Sequence, residues 1–312
     1  MAHPRRFRFA AELHEPLPGS TWIDSVKELE DLGYSTLFLP DHFDEGPGPL
    51  AMLGAAAAST TTLHLGVLVL DCDYRHPAVV QRELATIDQL SQGRLEIGLG
   101  AGWKATDYQR SGIPMDRPGI RVDRMIEHTA VIKGLFGSEP FSFDGDHYAI
   151  TDLAGLAGHT PGACPPILIG GGARRVLGFA GRHADIVGVN ASIHSGAIDT
   201  DAAHDALPDR IDAKVARVKE AAGKRFDDLE LNAWLSVAQL TEDTEAVAAV
   251  VAELFSADPE DVLESPLALI GSEAEVGERL RERRERWGYS YTVIPGAEAR
   301  AFAPVVAALT DT

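Results

Sequence analysis

A regular alternation of short apolar runs and amphipathic stretches extends along the 312-residue chain. The apolar runs are rich in β-branched residues, and each is followed by glycine or polar side chains before helical spacing begins. We interpret eight of these runs as strands: Phe7–Leu13, Ser35–Leu39, Leu63–Leu70, Leu95–Leu99, Ile167–Ile169, Ile186–Val189, Leu229–Val237 and Tyr291–Ile294. Strands that alternate with helices form parallel βα units. The sequence therefore predicts an α/β fold, a single (β/α)8 TIM barrel over residues 1–312.

Capping residues set the ends of several predicted helices. Ser20 or Thr21 can cap the first helix, which we expect to end at Gly33. Ser272 and Glu275 have the spacing of a capping box ahead of a late helix. A further helix opens at Pro77 and carries one apolar stripe, formed by Val80, Leu84, Ile87 and Leu90.

Two stretches interrupt the alternation. Residues 137–166, between strands four and five, are rich in Gly, Pro and Asp and contain Phe141, Phe143 and Tyr148. We predict an insertion there that holds a small hairpin. Residues 194–207, after strand six, are polar and rich in Asp and Ala, which predicts a mobile loop. Long loops in compact domains are usually lids, binding loops or disordered segments.

Charge and composition exclude several function classes. The net charge of −19 leaves no basic footprint for nucleic acid. Cys72 and Cys164 are the two cysteines, so a reducing compartment is expected. The sequence shows no apolar region of signal-peptide type and no run of about 18 apolar residues. We therefore predict a cytoplasmic protein with a small-molecule substrate and neither a nucleic-acid nor a membrane partner.

Polar residues follow the predicted strands at their C-terminal ends, where barrels carry their chemistry. Asp41 and His42 follow strand two, and an acid beside an imidazole can exchange protons near neutral pH. A helix cap next to an exposed histidine explains the same pair equally well. Asp71 ends strand three, either as a functional group or as a partner of local amides.

Small residues and a tryptophan follow strand four, in the segment Gly98–Trp103. Glycine lets a planar ring or a phosphate approach the backbone closely. A tight βα turn alone also explains Gly100 and Gly102. Trp103 either walls a pocket or packs in the core.

The segment Gly170–Arg175 runs from the end of strand five into a helix. Exposed amides at a helix N-terminus form an anion site, and Arg174 and Arg175 can add charge-assisted hydrogen bonds. We favour a phosphate site here over a turn with two solvated arginines. The 11 histidines are scattered, and no spacing typical of a metal site or a serine nucleophile occurs, so no metal is predicted.

Taken together, five segments resemble the bacterial-luciferase-like superfamily of (β/α)8 flavin and deazaflavin enzymes. They occur in order and span nearly the whole chain: Leu32–His42, Arg75–Pro77, Asp88–Arg94, Gly98–Trp103 with Asp107, Tyr108 and Gly112, and Ile169–Gly172. In detail they are most similar to the branch that uses coenzyme F420, an 8-hydroxy-5-deazaflavin.

The resemblance implies where a deazaflavin would lie. Asp41 and His42 would be beside the ring, with His42 near the hydride-transferring carbon, and a non-prolyl cis peptide at Leu68–Val69 would support the back of the ring. Asp71 would occupy a position at the ring edge, and Ala101 and Gly102 would flank the ring or its ribityl chain. The phosphate would be held by Gly171, Gly172, Ala173, Arg174 and Arg175.

One departure bears on the substrate. Sugar-phosphate dehydrogenases of this family have a glutamate where this chain has Trp103. The catalytic carboxylate is therefore missing, and oxidation of glucose 6-phosphate is not expected. We predict a neutral or apolar substrate whose pocket is shaped by Trp103 and the insertion Phe141–Tyr148. The predicted catalytic set is His42, with Asp41 and Trp103.

Three functions remain open from the sequence. The first is F420-dependent hydride transfer to or from a small organic substrate, with His42 as proton donor or electrostatic partner. The second is an FMNH2-dependent monooxygenase supplied by a partner flavin reductase. The third is a non-catalytic flavin-binding protein on the same barrel. A homodimer is consistent with the helical face near Leu84–Leu90.

Overall fold

The structure, a computed structural model, describes residues 5–193, 195–196, 199–255 and 257–312. Its strands are β1 (Arg8–Glu12), β2 (Thr36–Leu39), β3 (His64–Val67), β4 (Leu70–Asp71), β5 (Leu95–Gly100), β6 (Phe141–Asp144), β7 (Ala149–Leu153), β8 (Ile167–Gly171), β9 (Ile186–Val189), β10 (Glu230–Trp234), β11 (Val237–Leu240), β12 (Ala268–Gly271) and β13 (Tyr289–Pro295). Parallel pairing runs β3-β2-β1-β13-β10-β9-β8-β5, and β5 pairs back to β3. The predicted eight-stranded barrel is confirmed.

Helices follow the barrel strands and cover the outside of the barrel. They are α1 (Trp22–Asp31), α2 (Pro49–Ser59), α3 (Pro77–Ser91), α4 (Ala105–Ser111), α5 (Pro118–Leu135), α6 (Arg174–His183), α7 (Thr200–His204), α8 (Pro208–Ala222), α9 (Thr244–Phe255), α10 (Pro259–Glu264), α11 (Glu273–Trp287) and α12 (Ala299–Leu309). Thr21 caps α1, Gly33 follows it with φ +84°, and Ser272 and Glu275 form the predicted capping box. In the part of the chain that is described, no helix combines the length and apolarity needed to cross a membrane.

A buried charged network fills the N-terminal end of the barrel. Arg8 pairs with Glu96 and Glu230 at 2.5 Å each, and the hydroxyl of Tyr291 donates to Glu96 at 3.1 Å. Burial acts to raise the pKa of Glu96, but the positive charge of Arg8 lowers it to about 2. This network closes one end of the barrel, so the opposite end is the one that can admit a ligand.

Two expectations need correction. Val80, Leu84 and Ile87 are buried as predicted, but Leu90 is 53% exposed, because it lies on the outer face of α3 with Val79 and Glu83. The segment 194–207 is not simply a loop, since Thr200–His204 forms helix α7, with Asp199 as its cap. Residues His194, Ala197 and Ile198 of that prediction lie outside the described residues.

The insertion contains the predicted hairpin, but it does not shape the cavity. Strands β6 and β7 pair antiparallel. Tyr148 and Ile150 pack with Val131 and Leu135 of α5, on the outside of the barrel. The described residues that line the cavity include none from 137–166. The expectation for Phe141–Tyr148 is therefore wrong, because an apolar hairpin face is buried best against an apolar helix face.

The predicted strand Leu229–Val237 is in fact two strands. The barrel strand β10 ends at Trp234. The amide of Ser236 then donates to the carbonyl of Leu267 at 2.9 Å, and β11 pairs with β12 in a separate parallel sheet. This small sheet, with α9 and α10, extends the wall of the barrel mouth.

Candidate active site

A cavity of about 480 Å³ lies at the C-terminal ends of the barrel strands. Its lining includes most of the residues predicted from the sequence: Asp41, His42, Val69, Asp71, Ala101, Gly102, Trp103, Gly171, Gly172 and Ala173. The barrel thus brings together residues from four separate stretches of the chain, at the place where barrel enzymes carry their chemistry.

His42 is held by a buried carboxylate from α4. Its Nδ1 lies 2.6 Å from Oδ2 of Asp107, which is 1% exposed. Asp107 also accepts the backbone N–H of Phe43 at 3.3 Å and the hydroxyl of Tyr74 at 3.2 Å. The ring of Trp103 meets the imidazole edge-on, with 5.4 Å between the centroids. Because Nδ1 faces Asp107, Nε2 is the nitrogen that can exchange a proton with a molecule in the cavity.

Asp41 has a positioning role. Its carboxylate accepts two hydrogen bonds from Arg75, at 2.6 and 2.8 Å, and its Oδ2 also accepts the backbone N–H of Asp71 at 3.0 Å. A bidentate guanidinium pair of this kind fixes the orientation of the carboxylate. Asp41 thereby ties the end of β2 to the end of β4.

Asp71 is buried in the cavity wall and has a shifted acidity. Burial is the largest cause that raises its pKa, to about 6, and the charges of Asp73 and Asp41 add to it. The backbone N–H of Asp73 donates to one of its oxygens at 2.9 Å, the hydroxyl of Tyr108 lies 2.8 Å from the other, and both contacts act to lower the pKa. Asp71 can therefore change its protonation state near neutral pH.

Glycines allow the backbone around these side chains to pack closely. The Leu68–Val69 peptide bond is cis, at the position that the resemblance implies. A Cβ on Gly100 would lie 2.4 Å from the side chain of Val69. Gly102 has φ +71°, and a Cβ there would lie 1.8 Å from the hydroxyl of Tyr108. These glycines make room for neighbouring side chains, so tight packing alone accounts for them.

The opposite side of the cavity is built from backbone. Gly171, Gly172 and Ala173 lead into α6, whose N-terminus has no side-chain cap. A Cβ on Gly172 would lie 2.4 Å from the carbonyl oxygen of Asn190. In the described part of the chain, Oδ1 of Asn190 is buried and has no hydrogen-bond partner. This side of the cavity therefore offers amide donors and a free acceptor.

Arg174 and Arg175 are not part of the cavity lining as described. The first turn of α6 directs them outward, where Arg175 pairs with Asp123 of α5 at 2.5 Å. Both arginines line a separate outer groove together with Arg182 and Arg217. Only their backbone amides, at the start of α6, remain close to Ala173.

Sequence reasoning missed a polar cluster at the rim. The indole N–H of Trp234 donates to Glu12 at 2.6 Å, and His14 lies between Glu12 and Glu45, at 3.2 and 2.8 Å. The hydrogen bond with Glu12 raises the pKa of His14. Glu12 is the last residue of β1 and so occupies a strand end, the one sequence feature that could have identified it.

The remaining wall is mostly apolar, with His204, Asp261 and Ser265 as polar members. Ala202 of α7, Val251 of α9, Val262 of α10 and Leu267 before β12 contribute to it. Arg121 is the only arginine or lysine among the described lining residues, and its guanidinium donates to the carbonyls of Ala101, Gly102 and Asp116. No group of three or more His, Cys, Asp or Glu suited to a metal ion occurs within the described ranges.

Comparison with curated proteins identifies similar enzymes. The chain is 30% identical over 243 residues to a 5,10-methylenetetrahydromethanopterin reductase of Archaeoglobus fulgidus, covering 77% of this chain and 67% of that protein. It is 29% identical over 235 residues to an F420-dependent glucose-6-phosphate dehydrogenase of Nakamurella multipartita, covering 73% of this chain. The match covers 66% of that dehydrogenase, so the chain spans less than two thirds of its length.

Solved structures share the fold. The F420-dependent tetrahydromethanopterin reductase of Methanopyrus kandleri superposes with a TM-score of 0.77 at 20% identity, covering 98% of this chain and 99% of that one. An F420-dependent secondary alcohol dehydrogenase, solved with an F420–acetone adduct, gives a TM-score of 0.74 at 18% identity, covering 98% of this chain and 100% of the other. The monooxygenase RslO1 of Streptomyces bottropensis gives 0.72 at 20% identity, covering 96% and 99%.

The sequence profile described as luciferase-like monooxygenase matches residues 6–255. That range includes all the strand ends that form the cavity up to β10, and with them His42, Asp71, Trp103 and Gly171. The relatives are named as reductases, dehydrogenases and monooxygenases, which argues against a non-catalytic flavin-binding protein. The chain belongs to the luciferase-like monooxygenase family and is an oxidoreductase.

Proposed function

We propose that this protein uses coenzyme F420 to transfer a hydride to or from a small uncharged organic substrate. The observation that carries the proposal is one cavity that joins the His42–Asp107 pair to the glycine-lined N-terminus of α6. The names of one related enzyme and of two solved structures with the same fold include F420, which supports this choice of cofactor. When bound, F420 supplies a ring carbon that accepts or gives a hydride.

The residues present fit such a cofactor. Amides of Gly171, Gly172 and Ala173 would hold its phosphate, because a helix N-terminus without a side-chain cap favours an anion. The unpartnered Oδ1 of Asn190 would accept a hydrogen bond from a ribityl hydroxyl. Ala101 and Gly102 line the cavity, where their small side chains would leave room for a ring.

His42 would exchange the proton that accompanies hydride transfer. Asp107 orients the imidazole through Nδ1, so Nε2 faces the cavity and would give a proton to the substrate or take one from it. Trp103 stands against the imidazole and limits the volume next to it. Asp41 keeps the end of β4 in place through the amide of Asp71.

The lining favours an uncharged substrate. The guanidinium of Arg121 is occupied by backbone carbonyls, so it offers little to a phosphate group of a substrate. Val251, Val262 and Leu267 present apolar surface at the far end of the cavity. A phosphorylated sugar would lose its hydration there without a compensating cation.

The second candidate is an FMNH2-dependent monooxygenase that receives its flavin from a partner reductase. The matching family is described by monooxygenase activity, and a Baeyer–Villiger monooxygenase solved with FMN shares the fold, with a TM-score of 0.68. The same glycine-lined end would hold the FMN phosphate.

For either cofactor we place the protein in the cytoplasm. A homodimer formed through the exposed side of α3 is consistent with the exposed side chains of Val79 and Leu90.

A fluorescence titration of the purified protein with F420 and, separately, with FMN tests the proposal. F420 should bind at least about tenfold more tightly than FMN, a difference of about 1.4 kcal/mol. Gly172→Ala should weaken binding, because its Cβ would displace Asn190, whereas Gly54→Ala meets no atom within 4 Å and is the matched control. Tighter binding of FMN would favour the monooxygenase, and binding of neither would contradict both.

A further inference from the structure

Two carboxyl groups share one hydroxyl in the wall of the cavity. The oxygen of Tyr108 lies 2.8 Å from Oδ2 of Asp71 and 2.9 Å from Oδ2 of Asp73. A tyrosine hydroxyl has one hydrogen and can donate to only one of them. The other contact is a hydrogen bond only if that carboxyl carries a proton and donates to Tyr108. The geometry therefore calls for one proton between the two carboxyls.

The surroundings indicate which carboxyl carries the proton. Oδ1 of Asp73 lies 2.5 Å from a guanidinium nitrogen of Arg124, which also pairs with Asp116. A positive charge therefore lies directly against Asp73. Asp71 has no comparable partner, because the guanidinium of the nearby Arg75 is taken up by Asp41.

The other charged groups near Asp71 also favour a proton on this carboxyl. Asp41 at the end of β2 and Asp73 after β4 are negative, and both raise the pKa of Asp71 together with its burial. Cys72 is buried, and its thiol pKa is raised well above the ordinary value, first by burial and then by Asp71 and Asp73. Burial and then Asp71 likewise raise the pKa of Tyr74. The positive charges near this cluster are those of Arg75 and Arg124, each already paired with another carboxylate, and that of Arg121, whose guanidinium lies 5.9 Å from the centre of the Tyr108 ring and donates to backbone carbonyls.

We propose that Asp71, Tyr108 and Asp73 hold one shared proton and that Asp71 is a second acid–base group of the cavity, beside His42. With the proton on Asp71, hydrogen bonds run from Asp71 to Tyr108 and from Tyr108 to Asp73. When an acceptor atom in the cavity takes the proton, the O–H bond of Asp71 breaks and leaves a carboxylate. Tyr108 then turns its hydrogen from Asp73 to Asp71, and Arg124 continues to balance Asp73.

The arrangement connects the cavity with the surface. Asp71 lines the cavity, and Arg124 joins Asp73 to Asp116, whose side chain is 39% exposed. Because a guanidinium keeps its proton, Arg124 fixes the positive charge beside Asp73 and relays no proton, so Asp71 exchanges its proton with the cavity. The role of Asp71 in turnover rests on the proposed function, whereas the sharing of the proton does not.

Carbon-13 NMR of the purified protein without added cofactor tests the sharing. Aspartate is labelled at the carboxyl carbon and tyrosine at Cζ, and spectra are recorded from about pH 2.5 to about pH 8, a range that brackets ordinary and raised carboxyl pKa values. Asp71→Asn assigns the key resonance, and Asp123→Asn, at the exposed partner of Arg175, is the matched control.

We expect the Asp71 resonance to titrate near pH 6, with the Tyr108 resonance moving at the same midpoint. In Asp71→Asn the Tyr108 resonance should no longer move, and in Asp123→Asn it should move as in the wild type. If Asp71→Asn does not fold, Tyr108→Phe serves instead. In that variant the change in the Asp73 carboxyl resonance that accompanies the titration of Asp71 should become smaller. An Asp71 midpoint near the ordinary value of about 4, or a Tyr108 resonance that stays still, would overturn the proposal. Because no cofactor is present, neither outcome bears on F420 binding.

Discussion

His42 and Asp107 should act as one unit in turnover, and a double-mutant cycle measures this. Nδ1 of His42 and Oδ2 of Asp107 are 2.6 Å apart, and Asp107 is buried. If the carboxylate works only by orienting and charging the imidazole, its removal has no further effect once the imidazole is gone. The cycle consists of the wild type, His42→Ala, Asp107→Asn and the double variant.

The magnitude follows from the hydrogen bond. A hydrogen bond to a charged group contributes about 1.5–3 kcal/mol and a neutral one about 0.5–1.5 kcal/mol. Asp107→Asn keeps a neutral bond to His42, so the loss should be about 1–2 kcal/mol, or roughly five- to thirtyfold in rate. His42→Ala removes the proton-exchanging group and should cost about 100-fold or more. In the His42→Ala background, Asp107→Asn should cost less than about twofold.

The assay is the single-turnover rate of the bound cofactor, followed by absorbance, with cofactor affinity measured separately by fluorescence. Affinity should stay near the wild-type value in all variants, because neither side chain belongs to the phosphate end of the cavity. Tyr74→Phe is the control, since it removes another hydrogen bond to Asp107 and leaves the contact with His42. If the two losses multiply in the double variant, Asp107 acts independently of His42 and the reasoning is refuted.

Three further predictions concern stability. Glu96→Gln should lower the free energy of unfolding, measured in urea, by about 3 kcal/mol at neutral pH. Because the pKa of Glu96 is lowered from 4.5 to about 2, the difference from the wild type should be complete above about pH 4.5 and should vanish as the pH falls toward 2. Burial lowers the pKa of His128 from 6.5 to about 4. The free energy of unfolding of the wild type should therefore fall by about 3 kcal/mol as the pH is lowered from 6.5 to about 4, and His128→Leu should lose that dependence. Gly102→Ala should lower the melting temperature, because the added Cβ would collide with Tyr108. Gly54→Ala, in open space within α2, should leave it unchanged. Equal melting temperatures for the two variants would contradict the packing argument.

Features that depend on neighbouring residues could be predicted from the sequence. The strand and helix alternation, the cap at Thr21 and the capping box at Ser272 involve side chains within a few positions of each other. The hairpin in the insertion was also predictable, but its location was not. Whether Tyr148 faces the cavity or α5 is decided by an apolar surface at Val131 and Leu135 that no local pattern reveals.

Contacts between distant segments were missed. Asp107 lies 65 residues after His42, and nothing in either segment indicates that the two side chains meet. The small sheet formed by β11 and β12 joins segments about as far apart as a whole βα unit, and its formation splits the predicted strand Leu229–Val237. The ion pair of Arg175 with Asp123 joins two helices that are separate in the sequence.

By itself, the sequence determined the barrel and therefore which strand ends meet: His42, Asp71, Trp103 and Gly171 had to lie around one mouth, because parallel strands place their C-terminal ends together. The tertiary structure decided what each of these groups can do. Burial and partners from other segments make His42 one half of a pair with Asp107 and leave Asp71 with a raised pKa. Protonation depends on the local dielectric and on nearby charges, and both are properties of the folded protein.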